Sequence, residues 1–260
     1  MTIKTPEPPP IPAELDQLLR RLRMPYVRKA APQVIATATA QRWEPAEVLR
    51  VLLAEEAAGR DQATIRMRRR QSMLPAGKTF DAWDETASPI PKATQQALRT
   101  LKWIERAENL CICGPSGTGK SHWAKALGHL AIDKGKTVAW HTLESLAVMM
   151  RRHHADDSIA KATTRLIHAD LIVIDDIGML AVAPDAAEAL FRVVDAAYEK
   201  RSIALTSNIH PAGFDELMPK TLAAATVDRL LHHAHVLITD GSDSYRLAQA
   251  TAGKGARPLA

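Results

Sequence analysis

The sequence predicts an α/β fold: a parallel sheet with helices on both faces, preceded by a small all-helical segment. Three observations carry this reading. A short apolar run, NLCIC (Asn109 to Cys113), passes through a glycine-rich loop into a helical pattern, HWAKALGHLAID (His122 to Asp133). Strand-like and helical runs then alternate as far as HVLITD (His235 to Asp240). One of those strands, LIVIDDIG (Leu171 to Gly178), is four apolar residues followed by two carboxylates. A buried strand ending this way delivers charge to the carboxyl edge of a sheet, where ligands bind in such folds.

The elements follow in order. Residues 1–12 contain TPEPPPIP (Thr5 to Pro12), a proline-rich and flexible lead. ELDQLLRRLRM (Glu14 to Met24) sets Leu15, Leu18, Leu19 and Leu22 on one helical face, with Arg20, Arg21 and Arg23 elsewhere. A second helix is expected over Val34 to Arg42. Glu44-Pro45 opens a third, with Val48, Leu49, Leu52 and Leu53 as its apolar stripe. A fourth, Arg60 to Leu74, carries Arg66, Arg68, Arg69 and Arg70. Pro75 and Gly77 stop it. Residues 13–74 thus read as a basic helical domain, and 75–93 as a linker anchored by Phe80 and Trp83. The sheet domain is expected over 94–250, entered by a helix from Thr94 to Glu105. Its further strands are TVAWHT (Thr137 to Thr142), SIALTSN (Ser202 to Asn208) and the run ending at Asp240; residues 251–260 read as a loose tail.

Composition bounds the function. At 260 residues, 46% hydrophobic and 24% charged, the chain reads as an ordinary globular protein. No apolar run is long enough to span a membrane, and the polar, proline-rich start is not a signal peptide, so a cytoplasmic location is expected. The two cysteines, Cys111 and Cys113, lie two apart on one strand and read as small core residues. Residues 1–107 hold 18 Lys and Arg against 12 Asp and Glu, an excess of six, whereas residues 108–260 hold 16 against 17. A basic module beside a near-neutral one suits a polyanionic partner such as nucleic acid.

The loop itself reads GPSGTGKS, Gly114 to Ser121, the G-x-x-x-x-G-K-[ST] pattern that cradles nucleotide phosphates. Gly114, Gly117 and Gly119 let the backbone curl close to an anion, with Pro115, Ser116 and Thr118 between them. Lys120 is expected to reach the β- and γ-phosphates of ATP, Ser121 to place its hydroxyl on Mg²⁺, and His122 to open the following helix, whose positive end faces the phosphates. Asp175 is expected to hold Mg²⁺ through water, and Asp176 to polarise the attacking water. Asn208, at another strand end, can orient that water or sense the γ-phosphate. Arg229 lies too far along the chain to be placed by spacing; by itself it reads as a surface arginine.

Taken together, GPSGTGKSH, DLIVIDDIG, YEKRSIALTSN, TVDRLLHHAHV and SYRLAQ (Ser244 to Gln249) resemble the IstB/DnaC group of ATPases in the AAA+ superfamily, over roughly residues 95–250. The resemblance implies a five-stranded parallel sheet of order 5-1-4-3-2 with a short or absent lid. It makes Asn208 a sensor and Arg229 an arginine finger that completes the site of the next subunit in a ring or helical homo-oligomer. It implies a helper ATPase of insertion-sequence transposition that binds and remodels duplex target DNA and recruits and stimulates a transposase. The alternative within the group is a DnaC-like loader of replicative helicases. A small-molecule P-loop kinase is disfavoured by the paired aspartates, Asn208 and the DRLL segment. Most of the superfamily carries Glu where this chain has Asp176, a residue one methylene shorter, and Arg246 is a second candidate nucleotide sensor.

For DNA contacts the sequence offers Arg66, Arg68, Arg69 and Arg70, the N-terminal pair Arg20 and Arg21, and Arg151 with Arg152 beside His153 and His154. The last group falls in the segment between the second and third strands, where this branch of the superfamily carries an extra helix. HHAH (His232, His233, His235) has no Cys or carboxylate at ligand spacing and gives no metal reading. Trp103 reads as core rather than as an adenine contact.

Overall fold

The computed structural model describes residues 8–154, 158–178 and 183–239. The chain divides into two compact units, Met1–Met67 and Arg68–Ala260.

The first unit is helical: α1 (Ala13–Arg21), α2 (Pro25–Gln41) and α3 (Pro45–Gln71), the last running past the division. Two expectations are corrected here. The helix expected from Val34 begins nine residues earlier, at Pro25, and contains Pro32. Proline suits the first helical position because the N–H it lacks has no partner there. The next two N–H groups, of Tyr26 and Val27, donate to Glu56 Oε2 at 2.9 and 3.0 Å, so a side chain thirty residues away caps this helix. The third and fourth expected helices are one 27-residue helix, α3. Gly59 does not break it. A Cβ there would lie 2.2 Å from the Tyr26 ring, so this glycine exists to let α2 approach. Of the expected apolar face of α1, Leu19 is buried while Leu18 and Leu22 stay exposed.

Glu56 is itself buried, and its other oxygen accepts from Arg60 Nε at 2.8 Å. Burial opposes its charge, but the Val27 N–H, Arg60 and the Tyr26 N–H outweigh it and hold the carboxyl below its usual range. Glu56→Ala is expected to destabilise the helical unit by about 2–3 kcal/mol, because two helix N–H groups lose a charged acceptor. A depressed carboxyl stabilises fully above its unfolded value of about 4.3 and less as pH falls through the folded value. The gap between wild type and variant in urea unfolding should therefore be full near neutrality and shrink below about pH 4.

The second unit opens with α4 (Lys92–Arg99) and α5 (Lys102–Glu105). Then come β1 (Asn109–Cys113), α6 (Lys120–Asp133), β2 (Val138–Thr142), α7 (Leu143–His154), α8 (Ile159–Leu166), β3 (Leu171–Ile177), α9 (Pro184–Ala197), β4 (Ser202–Ser207), α10 (Lys220–Leu231) and β5 (Ala234–Ile238). Among the described residues the five strands form one sheet of order β2-β3-β4-β1-β5, all parallel, which is the order the resemblance implied. β1 and β4 are buried along their whole length, and Leu171 to Ile174 of β3 are fully buried, the pattern of strands covered on both faces. Leu190, Val193 and Val194 of α9 close the core on one side with Leu146 of α7 and Leu230 of α10. Cys111 and Cys113 are free, buried thiols. Between β2 and β3 the chain forms two helices, α7 and α8. Any lid beyond Thr239, Arg246, the run Ser244 to Gln249 and the tail all lie outside the described residues, as do residues 1–7 of the lead.

Candidate functional site

Strand order assembles the site. β4 lies between β1 and β3, so three carboxyl ends are neighbours although their residues are far apart in sequence. Gly114 follows β1 and its N–H donates to Ser207 O of β4 at 3.1 Å. Asn208 follows β4 and its N–H donates to Ile177 O of β3 at 2.8 Å. Asp175 and Asp176 lie at the end of β3.

The loop has the conformation its glycines permit. Gly114, Gly117 and Gly119 all have positive φ, and Gly119 ends at the first residue of α6, Lys120. A Cβ on Gly114 would stand 2.2 Å from Thr239 Oγ1. Thr239, just beyond β5, pins the base of the loop: its hydroxyl donates to Cys113 O at 3.1 Å and lies 2.9 Å from Thr118 Oγ1. Pro115 and Ser116 form the exposed tip, and Ser121 is half-buried. Lys120 is buried and donates to the loop carbonyls of Gly114 at 2.6 Å and Pro115 at 2.7 Å.

Phe80 and Trp83 pack on α6. Phe80 meets Trp123 edge-on at 5.9 Å, and Trp83 meets His122 edge-on at 5.0 Å. The Trp83 ring also stands 2.9 Å from where a Cβ of Gly119 would be, and its Nε1 donates to the fully buried Gln95 at 2.8 Å. His122 Nε2 lies 3.2 Å from Thr79 O, and burial lowers its pKa. Trp103 is a core residue whose Nε1 donates to Leu98 O.

The two aspartates part company. Asp175 is 3% exposed, whereas Asp176 turns outward in a left-handed conformation, φ 69°, where the β3–β4 register slips between Ile174 and Ile177. Thr206 of β4 ties them together: its hydroxyl donates to Asp175 Oδ1 at 2.5 Å and accepts from the Asp176 N–H at 3.0 Å. Lys125 Nζ lies 3.6 Å from Asp175 Oδ2. Neither Thr206 nor Lys125 was singled out from sequence. Thr206 stood in the ALTSN run; Lys125 stands four residues after Ser121 and so shares its helix face.

Arg229 is not brought to this edge. Its Nε pairs with Asp195 Oδ1 of α9 at 2.9 Å, its guanidinium lies over Phe191, and its Nη1 donates to Ala225 O. Asp195 and Arg229 occupy the last turns of helices that lead into the amino ends of β4 and β5, the opposite edge of the sheet. The fold does bring Glu199 within 4.0 Å of both His232 and His233, a carboxylate that sequence spacing did not reveal. All three are exposed, and His232 Nδ1 already lies 2.7 Å from Tyr198 OH.

The basic residues split into two kinds. Arg21, Arg66, Arg70 and Arg152 are exposed, without an ion pair among the described residues. Arg20 pairs with Asp16, Arg69 with Asp133 and Arg151 with Asp185; Arg68 is half-buried. The His153 ring lies 2.6 Å from Ser158 Oγ, and the His154 side chain lies outside the described residues. No helix among the described residues is long and apolar enough to cross a membrane.

A glycine-rich loop at a helix start, beside paired carboxylates on a neighbouring strand of a 5-1-4-3-2 parallel sheet, defines an ATP-binding P-loop ATPase of the AAA+ type. Residues 17–253 match the family of IstB-like ATP binding proteins, and the chain belongs to that family. It is 34% identical over 238 residues to an insertion sequence IS21 ATP-binding protein of Pseudomonas aeruginosa, covering 91% of this chain and 89% of that one. It is 31% identical over 237 residues to the IS5376 counterpart of Geobacillus stearothermophilus, covering 90% and 94%. Among solved structures, AMPPCP-bound DnaA from Aquifex aeolicus superposes with a TM-score of 0.52 at 21% identity, over 71% of this chain and 58% of that one. That likeness concerns the fold; the chain spans little more than half of the DnaA chain.

Proposed function

We propose that this chain is the ATP-dependent regulator of an insertion sequence: it assembles on and remodels duplex target DNA, and recruits and stimulates the transposase of the same element. The observation that carries the ATPase half is the adjacency of β1, β4 and β3, which sets loop, Asn208 and both aspartates at one sheet edge. The naming of its relatives as insertion-sequence ATP-binding proteins supports the transposition half.

In this reading the loop N–H groups and Lys120 bind the β- and γ-phosphates, the lysine exchanging the Gly114 and Pro115 carbonyls for phosphoryl oxygens. The donor set suits Mg²⁺: a hydroxyl on Ser121 and a buried carboxylate on Asp175, hard oxygen ligands that need a cation. Bound there, Mg²⁺ supplies neutralisation of phosphate charge. Asp176, turned outward by the bulge, orients and polarises the attacking water, with Asn208 beside it. Arg229 serves the site of a neighbouring copy, which accounts for a homo-oligomer.

The test is ATP turnover without DNA, with long random duplex and with single strands. Stimulation by duplex that is lost at high salt supports the regulator. Response to single strands alone, or to no DNA, points instead to a helicase loader driven by a protein partner. If the basic helix end grips phosphates, Arg66→Ala with Arg70→Ala should lower the slope of log affinity against log salt by about two. An unchanged slope removes this cluster from the DNA surface.

A further inference from the structure

We infer that Lys125 is an internal counter-ion for Asp175, holding the carboxylate until a divalent cation takes it and so raising the Mg²⁺ concentration this ATPase needs. This rests on the assignment of the cation to Asp175 above.

Asp175 is almost fully buried, and a buried carboxylate requires compensation. One oxygen receives the neutral Thr206 hydroxyl; the other faces the Lys125 ammonium at 3.6 Å. That separation is an ion pair without a directional hydrogen bond, so the lysine is displaceable. Lys125 sits one helical turn beyond Ser121, so the hydroxyl proposed for the cation and the ammonium that faces Asp175 share one face of α6. A divalent cation between Ser121 and Asp175 therefore meets a resident positive charge.

The displaced lysine has somewhere to go. Its Nζ already lies 5.0 Å from the centroid of the Trp140 ring, within cation–π range. Trp140 is buried on β2, paired in register with Val173 of β3, and cannot follow. A lysine stem is long and flexible enough to move from carboxylate to indole without moving the helix. Cation binding is then coupled to a shift of Lys125 over Trp140.

The experiment is Mn²⁺ binding followed by electron paramagnetic resonance on the full chain with a non-hydrolysable ATP analogue. Lys125→Met, close in shape but uncharged, should bind Mn²⁺ about five- to tenfold more tightly than wild type, while Lys125→Arg should stay near wild type. In parallel, Mg²⁺ should change tryptophan emission in wild type, and Trp140→Phe should abolish that change. Unchanged or weaker Mn²⁺ binding in Lys125→Met overturns the inference. A different result identifies failure of the underlying site: if Asp175→Asn binds Mn²⁺ as wild type does, the cation is not at Asp175 and both ideas fall.

Discussion

Lys120→Ala is expected to lower ATP turnover by about a hundredfold or more, the scale of removing one preorganised donor from a phosphoryl-transfer site. The physical basis is burial. Lys120 is 7% exposed, and its ammonium already donates to two backbone carbonyls of the loop. Moving it onto a phosphate exchanges neutral acceptors for anionic ones, which adds charge–charge attraction to hydrogen bonds the ammonium already makes. The same substitution should abolish nucleotide-driven assembly, read by light scattering with and without ATP. Turnover within threefold of wild type would remove the loop from the mechanism. Alanine also takes a donor from Gly114 and Pro115, so Lys120→Met, which keeps the stem, should be measured beside it.

Arg229→Ala should leave nucleotide affinity near wild type and reduce turnover by about a thousandfold, the lower range for an arginine finger. The two sheet edges separate Arg229 from Lys120 within one chain, so the action proposed for it is on another copy. A mixing experiment isolates this. Lys120→Ala chains keep the arginine, and Arg229→Ala chains keep the loop; mixed, they should recover turnover that neither has alone. Full activity of Arg229→Ala by itself would return this residue to a structural role, clasping α9 through Asp195 and Phe191.

Legibility in the sequence followed the range of the interactions. The phosphate loop is eight consecutive residues whose shape is set by glycine φ preferences, and its conformation agrees with that local reading. Strand limits came within a residue or two because buried parallel strands are continuous apolar runs. The helical N-terminal unit was read less well. Gly59 looks like a break by propensity, but the Tyr26 ring needs its missing Cβ. Pro25 suits a helix start, but no side chain beside it caps the helix, because the cap, Glu56, arrives from another helix. Arginine-rich faces were legible as charge, yet the partners Asp133 and Asp185, which engage Arg69 and Arg151, were not.

The P-loop, the pair of acids on a buried strand and the parallel α/β sheet were readable along the chain, since each shows in patterns a few residues long. Tertiary structure alone decided what surrounds them. Placing β4 between β1 and β3 put Thr206 between the two aspartates, Lys125 against the buried one and Asn208 beside the loop, and left Arg229 on the far edge. Those contacts join residues from 30 to more than 120 positions apart, and no local pattern encodes which strand lies next to which.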